Sequence, residues 1–185
     1  MAAASFFSRW RVRAGYPLAI LFLYLASPTP LAIAIGAAIS AAGLVVRGAA
    51  AGHLRKLETL TTSGPYAWVR NPLYFGSALL AAGFAVAGHS PGAALVLIAY
   101  FGTFYPVVMK KEEGELRERY GVAFVAYAER VPLFFPRPPR PVDGHPVAES
   151  NGFSWEQYKR NREYQAAFGA LLALGVLWLR MYFPR

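Results

Sequence analysis

A chain of 185 residues with 16% charged and 56% hydrophobic residues falls short of the charge that covers a soluble globule, about a quarter of its residues, so much of its surface faces something other than water. The net charge of +9 does not indicate nucleic acid, because the basic residues lie between apolar runs, as in loops set against anionic headgroups. Cysteine is absent, which excludes disulfides, thiolate metal sites and cysteine nucleophiles.

The first apolar run is Tyr16 to Ala26, extended backwards over Phe6 to Ala14 as a helix entering through the interface. No convincing cleavage site follows it, so a retained helix is expected rather than a signal peptide. Ser27-Pro28-Thr29-Pro30 reads as a tight turn into a second run, Leu31 to Val46. Pro72 to Gly88 is the third, His89-Ser90-Pro91-Gly92 the next turn, and Ala93 to Met109 the fourth. The two turns predict two helical hairpins. Glu112 to Glu129 carries Leu116, Tyr120, Phe124 and Tyr127 at spacings of three and four, the pattern of a surface amphipathic helix, weakened at Gly121. Val131 to Pro146 is proline-rich and predicts an extended crossing loop. Ser154 with Gln157 forms a capping-box pattern that opens a last helix of about 30 residues, or about 45 Å. Within it lies the fifth apolar run, Ala166 to Phe183, interrupted by Arg180. A span takes about 20 apolar residues, within about 17 to 25, so several runs call for tilting or local thinning.

Charge orients these runs. With the N-terminus inside, Arg9, Arg11, Arg13, Arg47, Arg55, Lys56, Arg70 and every basic residue from Lys110 to Arg162 lie on the cytoplasmic side. Only Arg180 and Arg185 fall elsewhere, and neither hairpin turn contains a Lys, Arg, Asp or Glu, as the positive-inside rule requires. The expected fold is an all-α integral membrane bundle of about five transmembrane helices with a cytoplasmic amphipathic helix. Residues 1–135 form its core, and residues 136–185 add the proline-rich loop and the C-terminal helix. An alanine-rich composition points to a bacterial inner membrane.

Polar residues gather at 53–74 and 110–130, on one membrane face, where functional groups are expected. Ser63 and Ser77 lack a hydrolase constellation, and His53, His89 and His145 have no paired spacing for a metal. No strand with a glycine-rich phosphate loop is predicted, so a Rossmann fold is excluded. What remains is the Gly64-Pro65-Tyr66 turn, Arg70-Asn71-Pro72 at a helix start, and Glu112-Glu113. A helix starting at proline leaves backbone N–H groups for an anion. Arg70 can take a carboxylate in bidentate fashion, and the glutamates suit an ammonium or sulfonium. The same residues also admit a surface reading, in which Arg70 snorkels and the glutamates neutralise Lys110 and Lys111.

Residues Glu58-Thr59-Leu60-Thr61-Thr62-Ser63-Gly64-Pro65-Tyr66-Ala67-Trp68-Val69-Arg70-Asn71-Pro72-Leu73-Tyr74-Phe75-Gly76 resemble the central motif of isoprenylcysteine carboxyl methyltransferases, roughly T-S-G-x-Y-A-W-x-R-H-P-x-Y-x-G. Glu112-Glu113-Gly114-Glu115-Leu116, Tyr120-Gly121, Tyr127 and Arg130-Val131-Pro132 are similar to that family's later blocks. The resemblance covers about residues 47–135, and phospholipid methyltransferases share a looser form of it.

The resemblance implies a membrane methyltransferase that uses S-adenosyl-L-methionine and releases S-adenosylhomocysteine. It places Glu58, Thr59, Leu60, Thr61, Tyr66, Asn71, Pro72, Leu73, Tyr74, Glu112 and Glu113 at the cofactor, with no metal. Arg70 is the candidate catalytic residue, orienting the acceptor or holding the cofactor carboxylate. Asn71 replaces the family's histidine, and Val108 stands where the family has a substrate-binding arginine. The implied acceptor is a lipophilic small molecule: an isoprenylcysteine carboxylate, a lipid or another isoprenoid. The expected partners are the bilayer and, through the C-terminal helix, a second copy of the chain, with no nucleic acid. The rival readings are an NADPH-dependent reductase of the sterol type and a non-enzymatic scaffold.

Overall fold

The computed structural model describes residues 2–55, 58–139 and 152–183, with side chains from residue 13 onward. Its helices are α1 (Ala2–Leu25), α2 (Pro30–His53), α3 (Pro72–Gly88), α4 (Pro91–Tyr120), α5 (Val122–Arg130), α6 (Trp155–Arg160) and α7 (Tyr164–Arg180). A 3-10 turn occupies Gly64–Ala67, and the described residues contain no strand. The fold is therefore all-helical and contains no Rossmann unit.

Local chemistry sets most boundaries. Helices α2, α3 and α4 each begin with proline, whose missing N–H has no partner to lose at that position and whose φ is already helical. Thr29 accepts from the Ala32 N–H at 3.2 Å and Ser90 from the Ala93 N–H at 3.4 Å. Each hairpin turn thus caps the helix that follows it. Helices α2 and α4 are long and apolar enough to cross a membrane, while residues 13–25, α3 and α7 are shorter apolar helices.

The tightest packing joins α2 to α3. A Cβ on Gly43 would stand 2.6 Å from the Gly76 carbonyl oxygen, and one on Gly36 would collide with that of Gly83. Bare glycine surfaces let the two backbones touch, the close approach by which helices associate where water supplies no driving force. The same contact brings Arg47, one turn beyond Gly43, over Gly76 at the start of α3. At the hairpin-turn end, Phe22, Ala26, Ile33, Ala87, Ala93 and Leu177 form one buried cluster that draws α1 to α4 and α7 together.

Two expected elements change. The surface helix over Glu112 to Glu129 is not a unit: α4 runs on through Lys110 and Glu112 to Tyr120, and α5 starts after Gly121. Residues 110–119 are mostly Lys, Glu, Leu and Arg, good helix formers, so nothing ends α4 before Gly121 takes φ +50. The C-terminal helix of about 30 residues is also two, α6 and α7, with Arg162 at φ +54 between them. Ser154 caps the first, accepting from the Gln157 N–H at 3.3 Å. Tertiary bonds favour the break: Asn161 Nδ2 donates to the carbonyls of Ala51 at 2.9 Å and Leu54 at 3.1 Å, at the end of α2. The proline-rich loop is irregular over 131–139. Lys56, Arg140, Arg185, His145 and the rest of that loop lie outside the described residues, as do the side chains of Phe6, Arg9 and Arg11.

Candidate active site

The segment from Leu54 to Asn71 is folded by its neighbours more than by itself. Gly64 holds φ +60 with the His53 ring lying where a side chain would stand, so only glycine serves there. Thr61 Oγ1 accepts from the Arg55 N–H at 3.3 Å, and the Tyr66 carbonyl accepts from the Tyr127 hydroxyl at 2.7 Å. The loop after α5 lies against the same segment. The Arg70 N–H donates to Pro132 O at 2.8 Å, Asn71 Nδ2 to Leu133 O at 3.2 Å, and the Arg137 N–H to Trp68 O at 3.0 Å. Asn71, in the histidine position of the family motif, thus pins a loop and makes no side-chain cap on α3. Burial pushes the Tyr66 phenol far above its ordinary range, with Tyr127, Glu112 and Glu163 adding to it against Arg47. Burial raises Tyr127 as well, opposed by Arg70. Both remain protonated donors at neutral pH.

These elements enclose a cleft of about 550 Å³, within the range of about 300–1,000 Å³ usual for small-molecule sites. Its lining includes Thr59, Leu60, Thr61, Tyr66, Arg70, Asn71, Pro72, Leu73, Tyr74 and Glu112. Two residues expected there are elsewhere. Glu58 is exposed and pairs with Arg160 at 2.7 Å, and Glu113 faces Arg70 without lining the cleft. Val108 is buried, 4% exposed, and does not line the cleft. Its lack of a guanidinium therefore says little about the charge inside.

The cleft also holds residues that sequence reasoning missed: Arg47, Ser77, Tyr105, Arg119 and Tyr120. Arg47 grips Glu163 with two nitrogens, at 2.6 and 3.0 Å, and donates to Ser77 Oγ and, at 3.3 Å, to Leu73 O. An arginine amid the apolar residues of α2 carries its own signal, since ionisable groups at such depth are costly unless partnered. Read by charge alone, Arg47 was one more loop cation.

Three carboxylates are therefore placed by structure. Glu112 accepts from the Tyr74 hydroxyl at 2.5 Å, and Tyr74 packs edge-on against Tyr105, ring centroids 5.3 Å apart. Glu113 lies 2.7 Å from Arg70 Nε, an ion pair without a hydrogen bond, and both atoms are buried. The Arg70 Nη1 donates instead to Ala128 O at 2.5 Å. Glu163 neutralises Arg47. Arg55 and Arg119 are then the cleft arginines without a carboxylate partner among the described residues, and Glu112 and Glu115 line the same cleft.

Residues 25–123, more than half of the chain, match the phospholipid methyltransferase family. The chain belongs to that family. Nearly all of the cleft lies inside the matched segment. Two relatives are similar over 83 residues: the cobalt-zinc-cadmium resistance protein CzcN of Cupriavidus metallidurans, 40% identical, and the nickel-cobalt-cadmium resistance protein NccN of Alcaligenes xylosoxydans xylosoxydans, 37% identical. The matched stretch is 45% of this chain and 38% of each relative, so the chain spans well under two thirds of the length of the relatives it matches. No solved structure matches it. Among the described residues no group of three His, Cys, Asp or Glu is placed to hold a metal ion.

Proposed function

We propose that this family member transfers a methyl group from S-adenosyl-L-methionine to a lipophilic acceptor at the cytoplasmic face of a bacterial inner membrane. The observation that carries the reading is the cleft itself. It joins Thr59 to Tyr74, from one motif block, to Glu112, from the other, around the Tyr74–Glu112 hydrogen bond. The donor set fits an amino-acid sulfonium, with a carboxylate, aromatic faces and two arginines without a carboxylate partner among the described residues lining one space. Glu112, oriented by Tyr74, would hold the ammonium group, and Arg55 or Arg119 would take the carboxylate. Tyr66, Tyr74, Tyr105 and Tyr120 supply electron-rich walls suited to a cation.

When bound, the cofactor supplies an electrophilic methyl group, which leaves sulfur for a lone pair of the acceptor as S-adenosylhomocysteine departs. The chain's contribution is alignment and exclusion of water. Arg70, held by Glu113 and Ala128 O, orients the acceptor and is the proposed catalytic residue. The acceptor enters from the bilayer past the stacked Phe101 and Tyr105, 4.1 Å between centroids. The core is residues 1–135, with 136–185 as an added C-terminal unit that serves acceptor access or pairing with a second copy.

The deciding experiment is ligand binding to the purified chain in detergent. S-adenosylhomocysteine at about 100 times its dissociation constant stabilises the protein by about 2.7 kcal/mol, read as a rise in melting temperature. No rise at millimolar ligand, with a clear rise for NADPH, would overturn the reading in favour of a reductase. A response to neither returns the chain to a scaffold.

A further inference from the structure

Across Arg70 from the cleft lies a second cavity of about 240 Å³, bounded by Arg70, the end of α5 from Ala128 to Arg130, and the loop from Val131 to Pro138. We propose that this cavity binds the phosphodiester head of an anionic phospholipid of the cytoplasmic leaflet, at a site distinct from the methyl acceptor. The proposal rests on the membrane placement and not on methyl transfer.

Size comes first. The volume is below the roughly 300 Å³ at which clefts for drug-sized ligands begin, so it suits a headgroup fragment rather than a whole cofactor. Charge comes second. Arg70, Arg130 and Arg137 line the cavity, with Glu129 the one carboxylate among the described residues of its wall. Arg130 and Arg137 are exposed and make no ion pair among the described residues. Even with Glu113 set against Arg70, the basin keeps a positive excess, and guanidinium forks match phosphate oxygens.

The frame is already built. The Arg70 N–H is bonded to Pro132 O and the Arg137 N–H to Trp68 O, and Arg130 Nε donates to Ala126 O at 2.9 Å. Little ordering is left to the ligand. Depth favours a lipid over a soluble phosphate. Trp68 is 47% exposed and Phe135 74% exposed beside the same backbone bonds, and exposed aromatics of this kind sit at the headgroup level. Because Arg70 walls both cavities, a headgroup here presses on the side chain that faces the cleft.

The test is a titration of the full chain in neutral phosphatidylcholine micelles, followed by melting temperature. Phosphatidylglycerol should raise the melting temperature saturably, more phosphatidylcholine should not, and inorganic phosphate at equal concentration should do much less. Arg130→Gln with Arg137→Gln, both exposed and outside the cleft, should melt like the wild type without the anionic lipid. Its affinity should fall about fivefold for each arginine removed, roughly 25-fold for both, while S-adenosylhomocysteine binding persists. Equal stabilisation by the zwitterionic lipid, an unchanged response of the double variant, or full stabilisation by inorganic phosphate would each overturn the proposal. Should the double variant melt lower by itself, the wild-type response decides. It must weaken between low and high salt as screening grows, and a salt-independent response overturns the proposal.

Discussion

The Tyr74 hydroxyl donates to Glu112 across 2.5 Å, linking the first turn of α3 to the part of α4 that extends beyond its apolar run. The bond holds one carboxylate oxygen in place before any ligand arrives. Glu112→Gln should therefore weaken S-adenosylhomocysteine binding roughly ten- to a hundredfold, the loss of a charged hydrogen bond of about 1.5–3 kcal/mol. Tyr74→Phe removes a neutral donor and should cost about two- to tenfold. Glu118→Gln, at an exposed position, serves as the control in the same calorimetric titration. Equal constants for Glu112→Gln and Glu118→Gln would return Glu112 to a solvated-face role.

Arg47 and Glu163 are 21% and 9% exposed at their side chains and bonded twice. Removing one partner leaves a buried charge alone, which costs about 3–5 kcal/mol. Glu163→Ala should lower the melting temperature clearly and loosen α7 from α2. Arg47→Met with Glu163→Met should recover much of that loss, because an apolar pair often replaces a buried ion pair at little cost. Limited proteolysis between α6 and α7 reports the loosening.

Gly43 faces the backbone of Gly76, which cannot yield as a flexible side chain would. Gly43→Val should force α2 from α3 and destabilise by about 1–3 kcal/mol. Gly169→Ala in α7, where nothing lies within 4 Å, should be neutral or slightly stabilising. Paired melting curves check both.

Burial raises the folded-state pKa of Tyr66 and Tyr127, so the folded chain keeps protons that the unfolded chain releases near pH 10. Their stabilising contribution is full below about pH 10 and falls as pH rises above it. Thermal stability measured from pH 8 to 11 should drop steeply at the top of that range. Tyr127→Phe should start lower, having lost its bond to Tyr66 O, and should fall less steeply. Parallel curves for the two proteins would contradict the assignment.

Acceptor choice follows from the interior charge. Arg47 is neutralised by Glu163 and Arg70 faces Glu113, and of the other cleft arginines, Arg55 and Arg119, one is assigned to the cofactor carboxylate, so at most one cation is left for a prenylcysteine carboxylate. Extracted membrane lipids should accept methyl groups faster than a farnesylcysteine analogue does. Val108→Arg should destabilise the chain by burying a charge and should not raise turnover of the analogue. Robust wild-type turnover of farnesylcysteine would refute this.

Much of the frame was legible in the chain. Proline and the Ser or Thr caps mark helix starts through short-range sterics and hydrogen bonds, and α3 occupies the predicted Pro72–Gly88. Apolar runs and basic loops report the solvent each segment prefers, which is local composition. The motif blocks carried most of the cleft lining for the same reason, since their residues are near one another in sequence. The glycines of α2 and α3 were also visible at spacings of seven, although their meaning as a contact depends on which helices meet.

Partnership of charges is what only the tertiary structure decided. Arg47 meets Glu163 across 116 positions and Glu58 meets Arg160 across 102, so one carboxylate expected at the cofactor turns to solvent and an arginine that charge alone assigns to a loop enters the cleft. Helix length was decided the same way at the C-terminus, where bonds from Asn161 and Glu163 to α2 outweigh continuation of a helix that local propensity favours. An isolated segment gains only tenths of a kcal/mol per residue from propensity. A buried ion pair or backbone bond involves several times that, and its partner is chosen by the packing of α2 against α3.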